Sequence, residues 1–562
     1  MEPQAIAYTK KKYSPILPTH QEWPVMKLAK NRKEFILEVI DASKKRIQDL
    51  TGEGSLLKEE LELTMYREKL RLKENPWLVD PDDEGPFWNK IRSRLVTLAN
   101  EKSTTEKDYK ELLEEITSRY TNEIASNFKP NHYKFTRRLV TFGFSRLLNA
   151  SRVKGFKSFW SNQYSLQDKI HITGETEHIR KLAAKGTIVM VPTHFSNIDS
   201  ILIGWVISTL GLPPFIYGAG LNLFNIQLFA YFMNSLGAYK VDRRKKNLVY
   251  IETLKAYSSQ AIQAGCHSLF FPGGTRSRSG KIESKVKLGL LSTAVEAQRA
   301  NYQKHGDKAQ RVFIVPVTLN YHFVLEAPGM IKEYLKQSGQ ERFYVENDEY
   351  SNSYKIVKFL IKFFTKGSDI SVSIGKPLDV LGNYVDEEGN SLDKKGRVID
   401  TKDYFISEGE VNVDKQREEE YTARLGDILV KEYHRINRVF SSHIAAFTAF
   451  QLIKKKNKKL DLYNLLRLPE EDLIIPADEY LEMFDKVREE VFKLHKYGKV
   501  GIAPHLTRSL EEVMDHGFAN VGMYHAKRTL TRNTQGDVIT EDLTLLYFYH
   551  NRLDGYGLEK LF

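Results

Sequence analysis

Cysteine is nearly absent from this 562-residue chain. Cys266 stands alone, which excludes internal disulfides and a cysteine-built zinc cluster and fits a reducing compartment. An apolar leader is missing too: the opening MEPQAIAYTKKKYSP has no hydrophobic stretch of the kind a secretory signal needs. Long unbroken hydrophobic runs are also lacking. The one charge-free stretch, Ser200 to Tyr239, is interrupted by Gly204, Gly211, Pro213 and Pro214 and carries Asn222, Asn225, Gln227 and Asn234, groups costly in hydrocarbon. It reads as buried helices and strands of an α/β core, with an interfacial surface as the alternative. No internal repeat stands out. No nucleic-acid recognition element accompanies the positive charge, so nucleic acid is set aside as a partner.

What is present is a modest cationic excess, 84 Lys and Arg against 72 Asp and Glu for a net +12. This favours anionic partners such as phosphate esters or acidic phospholipid. The length exceeds what one core usually supports, and the texture divides it. Residues 1–165 read as a helical N-terminal region, with apolar stripes at Ile36, Ile40, Ile47, at Leu57, Leu61, Met65, and at Leu113, Ile116, Tyr120, Ile124. ENPWLVDPDDEGP, residues 74–86, reads as a linker. Residues 134–158 mix Lys, Arg, Phe and Leu and read as packing on the next domain, with a bilayer surface as the alternative.

Residues 166–379 switch to short β-branched runs alternating with helical segments, the pattern of an α/β domain with a sheet flanked by helices. Strands are predicted at 170–173, 187–192, 267–272, 312–317 and 369–374, and helices near 198–210, 222–236, 248–264 and 288–302. Residues 380–415 form a turn-rich insertion and 416–562 a helical C-terminal region. The basic run at 454–459 reads as a solvated helix end, with contact to an anionic lipid surface as the alternative.

Two segments carry chemistry. In TIVMVPTHFSNIDS (187–200) an apolar strand ends in a polar turn. That places His194 where open α/β sheets put their sites, with Asp199 five residues on, able to fix the imidazole tautomer while His194 takes a proton. In SLFFPGGTRSRSGK (268–281), Gly273 and Gly274 permit close approach of backbone to ligand, and Arg276 and Arg278 carry forked donors that match phosphate oxygens. LGAYKVDRRKKN (236–247) adds Lys240, Arg243 and Arg244, one of which is expected to join that anion site. FIVPVTLNYHF (313–323) reads either as one wall of an acyl channel or as a plain core strand.

Four blocks in this order, THFSNID, GAYKVDRR, FPGGTRSRSG and IVPVTLNY, resemble those of the glycerolipid acyltransferase superfamily. The stretches at 437–453, 478–494 and 545–562 look like the helical tail of glycerol-3-phosphate and dihydroxyacetone-phosphate acyltransferases. The resemblance implies His194 as general base, Asp199 as its orienting partner, and a substrate-binding set of Arg243, Gly274, Thr275, Arg276, Ser277 and Arg278. It implies acyl transfer to the sn-1 hydroxyl of glycerol 3-phosphate, with acyl-CoA or acyl-acyl-carrier-protein as co-substrate and neither metal nor organic cofactor. The single cysteine and the cationic excess lead to the expectation of a cytoplasmic location with peripheral contact on an anionic membrane. A lysophosphatidate-type acceptor and a non-catalytic lipid- or acyl-carrier-binding protein are the alternatives. One departure stands out: Gly273 occupies the position where the family usually has Glu.

Overall fold

The β-branched runs of the middle region become strands because they bury on both faces. The computed structural model describes residues 10–52, 55–77, 80–101, 105–152, 165–221, 237–339 and 369–562. Among them seven strands form one sheet: β1 (Ile170–Gly174), β2 (Thr187–Pro192), β3 (Ile216–Gly220), β4 (Ala238–Val241), β5 (Ser268–Leu269), β6 (Val312–Tyr321) and β7 (Ile370–Ile374). Their order is β1-β7-β6-β2-β5-β3-β4. β6, β2, β5, β3 and β4 run parallel, while β7 pairs antiparallel with β6 and parallel with β1. Every residue of β2 and β6 is buried, as central strands covered by helices on both faces must be. The five parallel strands therefore deliver their carboxyl ends, and the loops that follow them, to one edge.

The sheet is thus the mixed α/β arrangement expected, with differences in detail. β3 and β4 were not foreseen: IYGAG carries two glycines and AYKV only four residues, too short and glycine-rich for a periodicity signal. β5 is two residues long rather than six, although Phe270 N–H still reaches Met190 O at 3.3 Å. The helix expected at 222–236 lies outside the described residues, as does 153–158. FIVPVTLNYHF is core strand as far as Tyr321 and buried throughout.

The N-terminal helices bury their predicted stripes against the helix Leu248–Gln263 and the β3–β4 side of the sheet, forming one apolar cluster with Ile216, Tyr239 and Tyr257. The helix Glu106–Ile124 starts on a Thr105–Asp108 capping box, which satisfies otherwise orphaned N–H groups. The presumed linker 74–86 is instead a clamp. Its Asp80 and Glu84 meet Arg71, which also bonds Glu68 at 2.8 Å. Glu84 also lies 3.0 Å from Lys245, which bonds Glu123 at 2.6 Å. Composition suggested a linker, but these acids are engaged by Arg71 and by Arg244 and Lys245 of the turn after β4.

The C-terminal helices join the sheet's own core: Ser441–Lys456, Ala477–Lys496 and Leu543–His550 share one apolar cluster with β1, β2, β6 and β7. Between sheet and tail, residues 379–406 do contain a short repeat. Asp379, Asp386 and Asp393 recur every seven residues, each carboxylate accepting two backbone N–H groups two and four positions on. Gly382, Gly389 and Gly396 in these turns have φ of +85°, +96° and +78°, a conformation glycine adopts without cost.

In the helix Pro130–Arg152, Phe135, Leu139 and Phe142 are 58%, 44% and 52% exposed. At these positions the expectation of packing on the next domain fails. Among the described residues no helix is long and apolar enough to cross a membrane.

Arg71 is 4% exposed among three carboxylates, so Arg71→Met should leave buried charges uncompensated. A loss of about 3–5 kcal/mol is expected, read as a lowered unfolding midpoint. An unchanged midpoint would show that the clamp contributes nothing to stability.

Candidate active site

His194 lies in the irregular turn between β2 and the helix Asp199–Thr209, held on three sides. Its Nδ1 is 2.8 Å from Asp199 Oδ2, its ring stacks on Phe271 with centroids 4.2 Å apart, and its carbonyl accepts Ser277 N–H at 2.7 Å. Asp199 is fully buried. Its Oδ2 also accepts Phe195 N–H at 2.7 Å and Ser196 N–H at 2.9 Å, and its Oδ1 accepts the Tyr321 hydroxyl. A carboxylate so placed requires the proton on Nδ1, leaving the lone pair of Nε2 as the ring's basic site. Burial and the Asp199 charge hold the Tyr321 phenol far above its ordinary pKa, so it remains a donor.

The glycine-arginine turn follows β5, the neighbour of β2. Gly274 has φ +74° and its N–H closes on Phe271 O at 2.9 Å. Thr275 is half-buried, and Ser277 Oγ donates to Lys281 O at 2.6 Å. Arg276 stands 3.4 Å from Glu326. Glu326 in turn accepts Asn197 N–H at 2.8 Å and the Ser196 hydroxyl at 3.1 Å, so Arg276 is tied to the His194 turn through one carboxylate. Arg278 pairs with Glu333 at 2.9 Å and Gln337 at 3.2 Å.

From the turn after β4, Arg243 faces the same cluster. Desolvation, and then the like charges of Arg276 and Arg278, push its pKa down. Lys240 sits within β4. Arg244 turns away: it bonds Asp242 and Asp80 and stacks over Trp77 with its guanidinium carbon 4.1 Å from the ring. Of the two arginines of this turn, Arg243 faces Arg276 and Arg278 and Arg244 does not.

Sequence reasoning missed Tyr321, Glu326, Glu283 and Arg552. Glu283 Oε1 accepts His194 N–H at 3.0 Å. Arg552 is buried with its guanidinium 3.4 Å over the Phe195 ring. Burial lowers its pKa to about 10, opposed by the charges of Glu283 and Asp199. Nearby, Asn551 Nδ2 donates to Ser279 O at 2.8 Å, and Gly280, at φ +80°, has no room for a Cβ against Phe548 O. The C-terminal segment is thereby built into the loop that carries the arginines. Only Glu283 had a local signal, as the sole acid between Gly273 and Lys287.

Elsewhere, ring nitrogens of His322, His505 and His516 lie within 4.8 Å of one another. The His505 Nε2 lone pair already accepts Ser441 N–H at 3.1 Å, and His322 Nδ1 lies 2.8 Å from Ser442 Oγ. Burial holds His322 and His505 well below the ordinary imidazole pKa. The group is a neutral stack tying the end of β6 to the C-terminal helices.

Residues 170–320 match the family model described as "Acyltransferase", a span running from β1 through β6 and containing both turns of the site. This span is similar to the acyltransferase domain of the glycerolipid acyltransferases. Among its relatives, proteins named glycerol-3-phosphate acyltransferase are 30% identical in Haemophilus influenzae (strain PittEE) over 228 residues, 40% of this chain and 25% of that protein. In Histophilus somni (strain 129Pt) the identity is 33% over 168 residues, 30% of this chain and 20% of that protein. In Pseudomonas aeruginosa (strain UCBPP-PA14) it is 28% over 245 residues, 43% and 26%. The chain thus spans a quarter or less of the length of the first two relatives and about a quarter of the third.

Burial pushes the Cys266 thiol up to about 12, so it stays protonated at pH 8. An alkylating probe is expected to leave the native protein unlabelled and to react once the chain is unfolded. Rapid labelling of the native state would contradict this burial.

Proposed function

We propose that this chain transfers a fatty acyl group from an acyl thioester to the sn-1 hydroxyl of glycerol 3-phosphate, in phospholipid synthesis. The observation that carries the reading is the His194–Asp199 pair one loop from the Arg276–Arg278 turn, the two turns joined by Ser277 N–H to His194 O. Relatives bearing the name glycerol-3-phosphate acyltransferase support the acceptor.

In this scheme Arg276, Arg278 and Arg243 receive the phosphate, with Gly274, Thr275 and Ser277 shaping the turn. His194 Nε2 takes the proton of the acceptor hydroxyl as its oxygen attacks the thioester carbonyl carbon. The C–O bond forms, the C–S bond breaks, and the leaving thiolate takes the proton back from the imidazolium. Asp199 holds the ring and stabilises its charged form. The chain's residues suffice without metal or organic cofactor, and either acyl-CoA or acyl-acyl-carrier-protein serves as donor. Cys266, buried and protonated, gives no covalent route.

The test is turnover of a labelled long-chain acyl thioester with glycerol 3-phosphate, with dihydroxyacetone phosphate and lysophosphatidate as competing acceptors. His194→Ala should lose roughly 10²- to 10⁴-fold in kcat, the usual share of a positioned base. Arg276→Ala and Arg278→Ala should raise KM for the acceptor about tenfold or more while sparing that for the donor. Parent-level activity in His194→Ala would end the mechanism, and unchanged acceptor dependence would end the phosphate assignment.

The membrane is the second partner in this reading. The helix Pro130–Arg152 carries Lys134, Arg137, Arg138, Arg146 and Arg152, with no acidic residue. It exposes Phe135, Leu139 and Phe142 at helical spacing and packs against the Asp199–Thr209 helix. Apolar residues among cations suit the interface of an anionic bilayer. The full chain should therefore float with vesicles containing about 30 mol% phosphatidylglycerol and less with pure phosphatidylcholine, and Phe135→Ser/Phe142→Ser should abolish flotation. Equal flotation of the variant would exclude this helix as the contact.

A further inference from the structure

Gly273 and Glu283 share one volume. A Cβ added at Gly273 would lie 3.3 Å from Glu283 Oε1 and 3.4 Å from Glu283 Cγ, so the Glu283 carboxylate fills the space that a side chain at 273 would take. Gly273 itself has a negative φ. Backbone strain is therefore not what requires glycine there.

Glu283 reaches this place from the far side of the loop that carries Arg276 and Arg278. Its Oε1 accepts the His194 backbone N–H at 3.0 Å, while Oε2 is closed off from solvent without a hydrogen-bond partner among the described residues. That N–H belongs to a turn outside the ladder of β2, and the carboxylate satisfies it. The charged groups around Glu283 are Arg552 and Asp199, with the Tyr433 phenol beneath. Burial raises the carboxyl to about 7, against the His194 N–H bond and the Arg552 charge.

Resting on the acyl-transfer reading above, we propose that Glu283 is the positioning carboxylate of the His194 turn, seated in the space left by the absent side chain at 273 and acting through the His194 N–H. Glycine at 273 and an acceptor side chain reaching from 283 are then one solution in two halves, and neither half serves without the other. A carboxylate projecting from 273 would fill the same space and reach the same N–H. A turn released by removing the carboxylate displaces the imidazole from its working position, and displacements of about 1 Å cost on the order of 10²-fold in rate.

The experiment is a three-variant cycle on the full chain, with kcat, both KM values and the unfolding midpoint measured for each. Glu283→Ala is expected to lose about 10- to 100-fold in kcat with both KM values little changed. Gly273→Glu alone, which crowds two carboxylates, is expected to lose activity as well. Combining Gly273→Glu with Glu283→Ala should restore both kcat and midpoint toward the parent, while the kcat loss of Glu283→Ala at unchanged KM is what separates positioning from packing. Glu283→Gln, which keeps the Oε1 acceptor, should stay close to the parent.

Losses that simply add in the double variant, or a Glu283→Gln as impaired as Glu283→Ala, would overturn the proposal. A parent without transferase activity would refute the function instead. The midpoints read the 273–283 coupling with no substrate present, and their additivity would still decide against it.

Discussion

Asp199 is a carboxylate without access to water, and the site is arranged around keeping it satisfied. Two backbone N–H groups, an imidazole and a phenol meet its two oxygens, and the buried Arg552 guanidinium contributes opposing charge. An unpaired buried charge costs several kcal/mol, so the donors must arrive together. They come from the turn after β2, from the end of β6 and from the C-terminal segment. Bringing them together fixes the imidazole to which they are attached.

The three regions of the chain consequently have different relations to one cleft. The sheet supplies the turns, because its parallel strands end on one edge. The N-terminal region secures the turn after β4 by engaging Arg244 through Asp80 and Lys245 through Glu123, which leaves Arg243 facing the other arginines. The C-terminal helices bring Asn551 and Arg552 against the loops that carry Arg276 and Phe195. The family match ends at residue 320, so these outer contacts are contributed by parts of the chain beyond it.

The placement of His194, Asp199 and the arginine pair on turns at strand ends was legible in the sequence because each follows an apolar run that reads as a buried strand. The general α/β plan and most helix stripes were legible for the same reason. β3 and β4 were not, since a five-residue strand with two glycines and a four-residue strand carry too little alternation. The 74–86 segment misled because proline and aspartate have the same composition in a solvated turn as in a clamp. Glu326, Tyr321 and Arg552 depend on partners a hundred or more residues away in the chain, and no local pattern encodes them. The seven-residue Asp-Gly recurrence at 379–400 was readable in principle but became plain only as a series of identical turns.

The sheet order has a kinetic consequence. β2 lies between β5 and β6, and the Leu319 N–H that closes on Thr193 Oγ1 spans 126 residues, while the Asn551 contact to Ser279 spans 272. Pairings of such range belong to slowly folding topologies, because loop closure must precede any gain from contact. During synthesis β2 emerges long before β6 can cover it, together with the charge-free segment that follows. The nascent chain thus displays this apolar surface before its cover exists, which makes its yield in a host cell sensitive to temperature and to chaperone supply.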